Sequence, residues 1–166
     1  MSDQICNPQS EIRNGFLSAA IDLARDGMRA NFGGPFGAVV VKEGVIVGRG
    51  CNQVTSTNDP TAHAEIVAIR DACRTLKTFS LASCEIYASC EPCPMCLAAI
   101  YWARIERVYY GCSCADADAI DFSDSLIRDE LSLPISARKV PLIPLGRGEA
   151  LALFDEWRAK ADKTPY

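Results

Sequence analysis

The chain has 166 residues and a single histidine, His63, followed thirty residues later by a dense cysteine group. The histidine stands in Thr61-Ala62-His63-Ala64-Glu65, the cysteines in Cys90-Glu91-Pro92-Cys93-Pro94-Met95-Cys96. The two-residue gap between Cys93 and Cys96 lets both sulfurs reach one ion. A catalytic zinc takes three protein ligands and keeps its fourth position for water. One imidazole and two thiolates satisfy that count, so any fold serving this pattern must carry His63 to Cys93 and Cys96.

Local chemistry favours the same reading. Each motif opens a stretch with helical periodicity, and the unpaired amides of a first helical turn favour thiolate over thiol. Two thiolates and a neutral imidazole around Zn²⁺ sum to zero charge, which a dry pocket tolerates, and the ion acidifies its bound water. Glu65, two residues after His63, can face that water as a proton carrier without being a ligand. Two rival readings use the same residues. Cys90, Cys93 and Cys96 are evenly spaced, as in some iron–sulfur loops, but no fourth cysteine follows at ferredoxin spacing and the histidine would be idle. A structural zinc or redox-sensing protein would need Cys90 as a fourth ligand and would not depend on Glu65.

The remaining pattern describes an α/β chain. Ile12, Phe16, Ala19, Ala20, Leu23 and Ala24 recur at helical spacing after Ser10, a candidate cap, and Asn31 and Gly33-Gly34-Pro35 stop that helix. Residues 36–41 and 45–49 flank Glu43-Gly44 as a hairpin, and 50–60 read as a polar loop. A second helix starts at Thr61, with Ala62, Ile66, Ile69, Cys73 and Leu76 on one face. Residues 84–89 read as a strand ending near Cys90, 94–103 as a helix and 108–111 as a strand. Residues 122–131 and 150–161 look helical, and 140–145 extended but interrupted by Pro141 and Pro144. The order predicts one domain, 1–166, built as a mixed sheet with helices on both faces.

Charge and cysteine usage narrow the function classes. Seventeen basic against twenty-one acidic residues give a net charge of −4, with no basic run, which argues against binding a duplex polyanion. No apolar stretch approaches the roughly 20 residues of a membrane helix, and residues 1–14 lack the form of a signal peptide. The nine cysteines are odd in number, so they fit a reducing cytoplasm better than a disulfide scaffold. Cys112 and Cys114 are assigned no role beyond packing.

His-x-Glu followed by Pro-Cys-x-x-Cys is the signature of the zinc deaminases. The likeness extends over Gly33-Gly34-Pro35-Phe36-Gly37-Ala38, Asp59-Pro-Thr-Ala-His-Ala-Glu, Ser89-Cys-Glu-Pro-Cys-Pro-Met-Cys and Ala99-Ile-Tyr-Trp-Ala-Arg104. In these runs the chain resembles bacterial guanine deaminases of the cytidine deaminase superfamily. Phe122-Ser123-Asp124-Ser125, Trp102 and the terminal Tyr166 point to the guanine branch. The resemblance implies a three-layer α/β/α cytidine deaminase-like fold with a mixed central sheet, and a homodimer whose C-terminal segments are swapped between subunits. It implies hydrolysis of guanine, a small purine base, to xanthine and ammonia. His63, Cys93 and Cys96 would hold one catalytic zinc per subunit, and Glu65 would carry protons from the water to the ring nitrogen and the leaving amine. Asp124 would contact substrate and assist the second proton transfer. Phe36 would pack on the base, Asn52 would hold a ring acceptor, Trp102 would line the pocket and Tyr166 would close the partner's. Two departures fall in the loop that selects substrate: Asp121 where the branch usually has glycine, and Ser123 where it often has an acidic residue. Deaminases of guanosine, cytosine or tRNA adenosine are the neighbouring alternatives.

Overall fold

The computed structural model describes residues 8–165. Tyr166, and with it the expectation for the terminal tyrosine, lies outside the described residues, as does Cys6. The chain divides into two compact units, the first ending at Asp124 and the second starting at Ser125.

The first unit is a four-stranded sheet in the order β2-β1-β3-β4. Its strands are β1 (Gly37–Lys42), β2 (Val45–Cys51), β3 (Cys84–Cys90) and β4 (Arg107–Cys112). β1 runs antiparallel to β2 and β3, while β3 and β4 are parallel. The tight β1–β2 turn needs left-handed backbone at both central residues, and Glu43 (φ 50°) and Gly44 (φ 78°) supply it.

Strand periodicity sorts the sheet's two faces. Val39, Val41 and Tyr87 point to one side, where Phe16, Leu17 and Leu23 of α1 (Pro8–Arg29) pack on them. Ala38, Val40, Ile86 and Ala88 point to the other, against Ala64, Ala68 and Ala72 of α3 (Ala64–Leu76) and Ile100 of α4 (Pro94–Trp102). Burial on both faces explains why β1 reads as an unbroken apolar run. The layers are α/β/α, as expected. The alanine stripe of α3 lies unusually close to β2. A Cβ on Gly48 would stand 2.4 Å from the Ala68 carbonyl oxygen, and one on Gly50 2.2 Å from that of Ala64. Glycine on β2 therefore sets how near α3, and the histidine at its start, comes to the sheet.

Several boundaries differ from the sequence pattern. α1 begins at Pro8 rather than after Ser10, in keeping with proline's fixed φ in a first turn. α3 starts three residues after Thr61, because the Asp59 carboxylate accepts bonds from the Thr61 amide (2.8 Å) and hydroxyl (2.7 Å) and holds a turn there. The loop expected at 50–60 contains the short α2 (Val54–Thr57), and α5 (Cys114–Asp118) follows β4. In the second unit, α6 (Ser125–Ser132) starts later than residue 122 and α7 (Arg147–Ala159) earlier than residue 150, with a 3₁₀ turn at Ile135–Ala137. Residues 140–145 form no strand; Pro141 and Pro144 remove two of the amide donors a ladder would need.

Candidate metal centre

The ligand set assembles where two helices begin. His63 is the N-cap of α3 and Cys93 the N-cap of α4, both with extended backbone, and Cys96 is the third residue of α4. Neither N-cap side chain caps its own helix, so imidazole and thiolate can turn to each other. The approach to His63 is fixed by the Asp59 turn and by the Gln53 amide, which donates to the Ala62 carbonyl at 2.9 Å.

The three side chains meet. His63 Nδ1 lies 3.6 Å from Cys93 Sγ and 3.6 Å from Cys96 Sγ. A tetrahedral zinc with sulfur at about 2.3 Å and nitrogen at about 2.0–2.1 Å holds those atoms about 3.6 Å apart. The donor set therefore fits zinc in both chemistry and spacing. Among the described residues it is the one His/Cys/Asp/Glu group able to hold an ion.

Without an ion, the group shares protons. A hydrogen bond from Cys96, ahead of those from His63 and the Cys96 amide, pulls the Cys93 thiol down to about 4. Cys96 is pushed far upward, first by that same bond and then by burial. The bond to Cys93 raises His63 above its ordinary value despite burial. Cys93 and Cys96 thus form a coupled pair that holds a proton between them, one that a metal would displace. Beside them stands Glu65, only 7% exposed. Burial raises its carboxyl, opposed by hydrogen bonds that include one from Cys96. A buried carboxyl whose hold on a proton is strengthened, next to a metal corner, suits general acid–base work.

The flanking residues come together only in part. Phe36 precedes β1 and meets Phe122 edge to face, with ring centroids 5.0 Å apart at 82°. Phe36 also packs against the core. Asn52 is 6% exposed, and its Oδ1 accepts from the Gly34 amide (3.3 Å) and the Val54 amide (3.2 Å). Its side-chain oxygen being engaged, the amide NH₂ is what Asn52 has to offer a ligand. Asp124 is half-buried, two residues beyond Phe122. Trp102 stands apart from the cluster. It is the last residue of α4, nine residues and about 13 Å along the axis from Cys93, and is 70% exposed.

Two features escaped the sequence. Phe122 was legible as part of a run but not as the partner of Phe36, which depends on the left-handed turn at Asp121 (φ 66°). Glu91 sits inside the cysteine motif, yet its carboxylate turns away to accept the Cys114 amide at 3.1 Å. Cys90 ends β3 as a buried thiol that burial pushes up to about 11, while Cys112 is exposed rather than packed because β4 is the sheet's edge.

Comparison with known proteins agrees with this geometry. Residues 10–112 match the family described as the cytidine and deoxycytidylate deaminase zinc-binding region. Guanine deaminase of Bacillus subtilis (strain 168) is 49% identical over 151 residues, covering 91% of this chain and 97% of that protein. An X-ray structure of the Bacillus subtilis guanine deaminase superposes with a TM-score of 0.89 at 48% identity, covering 92% of this chain and 98% of that one. The tRNA-specific adenosine deaminase of Aquifex aeolicus is 50% identical over only 76 residues, 46% of this chain and 50% of that protein. With its His63, Cys93 and Cys96 gathered inside the matched zinc-binding region, this chain belongs to the cytidine and deoxycytidylate deaminase family.

Proposed function

We propose that the chain is a zinc-dependent aminohydrolase that converts guanine and water to xanthine and ammonia. The observation that carries this reading is the 49% identity to a guanine deaminase over 97% of that protein's length, joined to the three-ligand group beside a buried carboxylate. Zinc held by His63, Cys93 and Cys96, one ion per subunit, would supply an acidified water as nucleophile.

The chain's own residues do the rest. Glu65 takes a proton from the attacking water, delivers it to the ring nitrogen, and then assists departure of the amine. Asp124 contacts the substrate and helps the second proton transfer. Phe36 packs on the base. The Asn52 NH₂ donates to a ring acceptor, a choice supported by the engagement of its oxygen with Gly34 and Val54. A neutral base needs stacking faces and a few fixed polar groups rather than a cationic groove, in keeping with the charge of −4.

The working form is a cytoplasmic homodimer in which residues 125–166 exchange between subunits, a single deaminase domain being completed by its partner. Exposed apolar side chains support this. Leu97, Tyr101 and Trp102 of α4 are 41%, 74% and 70% exposed, and the second unit carries Leu153, Phe154 and Trp157 at 62%, 64% and 46%. In such a dimer Trp102 and Tyr166 would act at a pocket shared with the partner. Among the described residues no helix is long and apolar enough to cross a membrane.

The test is ammonia release from purified zinc-loaded protein offered guanine, guanosine, adenosine and cytosine. Guanine is the expected substrate. Release from cytosine or adenosine with none from guanine would overturn the substrate while leaving the chemistry standing.

A further inference from the structure

Glu91 lies two residues before the ligand Cys93, at the point where the chain leaves β3. Three hydrogen bonds join its segment to the end of β4 and the start of α5. The Glu91 amide donates to the Cys112 carbonyl at 2.8 Å. The Cys90 thiol donates to the Ser113 carbonyl at 3.5 Å. The Glu91 carboxylate accepts the Cys114 amide at 3.1 Å. Of these, only the last is made by a side-chain carboxylate, and it reaches the first residue of α5.

Beyond Cys114 the chain forms a short, closely bonded relay. Ser113 and Asp116 close a capping box on α5, with the Ser113 amide donating to the Asp116 carboxylate at 2.8 Å. At the other end, the Ala117 carbonyl accepts both the Ile120 amide (3.1 Å) and the Phe122 amide (3.0 Å). Asp121 then turns left-handed, and Phe122 lands edge-on against Phe36. A Cβ on Gly34 would meet the Phe122 ring at 2.9 Å, so the ring sits close on that backbone. From Glu91 the connection runs forward two residues to Cys93 and across through α5 to Phe122.

We propose that Glu91 is a positioning residue that sets the spacing between the metal corner and the aromatic wall made by Phe36 and Phe122. It holds the α5 segment, and with it Phe122, in register with the loop that carries Cys93. The inference rests on the proposed function for its assay substrate and for Phe36 as a wall of the substrate pocket, and on hydrogen-bond geometry for the tether. Its consequence is an effect on substrate binding rather than on metal binding. Cys93 is additionally held by α4, of which it is the N-cap, whereas α5 has only five residues and depends more on its tether.

The experiment compares Glu91→Ala, Glu91→Gln and wild type as zinc-loaded full-length protein, measuring KM, kcat and bound zinc for ammonia release. Glu91→Ala raises KM on the order of tenfold, the effect of losing one charged hydrogen bond, with kcat changed less than about threefold and zinc retained. Glu91→Gln, which keeps an acceptor oxygen at the same reach, stays near wild type. If the alanine variant does not fold, Glu91→Asp, whose carboxylate stops one methylene short, must show the same rise in KM. A KM within twofold of wild type in the folded alanine or aspartate variant overturns the proposal, as does a glutamine variant that behaves like alanine. Loss of zinc in step with loss of activity also overturns it, because the tether would then serve the ligands. The measurements use whichever base releases ammonia, so a substrate other than guanine defeats the proposed function without touching this test.

Discussion

Adding one methyl group at Gly50 should disable the site from a distance. A Cβ there would lie 2.2 Å from the Ala64 carbonyl oxygen, 2.5 Å from the Ala68 amide nitrogen and 3.0 Å from the Val67 Cβ, where ordinary contact begins at 3.4 Å. Two of these neighbours are backbone of α3, so no side chain can rotate away, and the first turn of the helix must retreat by about 1 Å. That turn begins with the cap His63 and carries Glu65. Metal ligands tolerate about 0.2 Å of misplacement, and about 1 Å at a catalytic group costs on the order of 10²-fold in rate. Overpacking of this kind also destabilises by about 1–3 kcal/mol. We expect Gly50→Ala to bind zinc substoichiometrically by plasma mass spectrometry after gel filtration, and to lose about 10²-fold or more in kcat/KM. Gly15→Ala, whose Cβ meets nothing within 4 Å on a helical segment, is the control and should be neutral or stabilising. Full zinc occupancy and wild-type turnover in Gly50→Ala would show that the α3–β2 approach does not set the site.

Four further outcomes concern the site itself. Glu65→Gln should keep zinc and lose roughly 10²–10⁴-fold in kcat. Burial raises the Glu65 carboxyl above 4.5, so that group stabilises the fold at low pH and loses its contribution as pH rises through the raised value. Metal-free Glu65→Gln should therefore melt above wild type at pH 8 but not below pH 4.5; equal melting at both pH values would remove the buried-carboxylate argument. Zinc binding should release protons, at least the one shared by Cys93 and Cys96 and, at lower pH, a second from His63, whose affinity for a proton is raised. Affinity must accordingly weaken from pH 8 to pH 6, as calorimetry in buffers of different ionisation enthalpy will read; a pH-independent affinity contradicts the proton-sharing pair. Asn52→Asp preserves the acceptor for Gly34 and Val54 but removes the NH₂, so folding should survive while KM rises on the order of tenfold. An unchanged KM would show that the amide does not contact substrate.

What could be read from the sequence depends on the range of the forces involved. The β1–β2 hairpin and the α3 and α4 segments are local patterns, and the metal group is legible because one histidine and one Cys-x-x-Cys leave little choice of ligands. The placement of His63 and Cys93 as helix N-caps adds what the pattern lacked: the reason both donors face outward from a first turn. Features set by contacts between distant segments stayed hidden. The Phe36–Phe122 pair depends on a non-glycine left-handed residue at Asp121, the Glu91 tether on the parallel register of β3 and β4, and the close approach of α3 on two glycines of a neighbouring strand. Trp102 illustrates the opposite limit. Its apolar surroundings in the sequence would suit a core residue, yet its position at the far end of α4 leaves it 70% exposed within one chain; the pocket-lining role came only from the family resemblance.

X-ray absorption at the zinc edge of catalytically active protein probes the metal corner most directly. One zinc per chain with two sulfurs near 2.3 Å, one imidazole nitrogen near 2.0 Å and one further light-atom ligand is the predicted result, each distance being about the ordinary zinc value. Active protein without zinc, or an ion ringed by a third sulfur with no place for water, would contradict it.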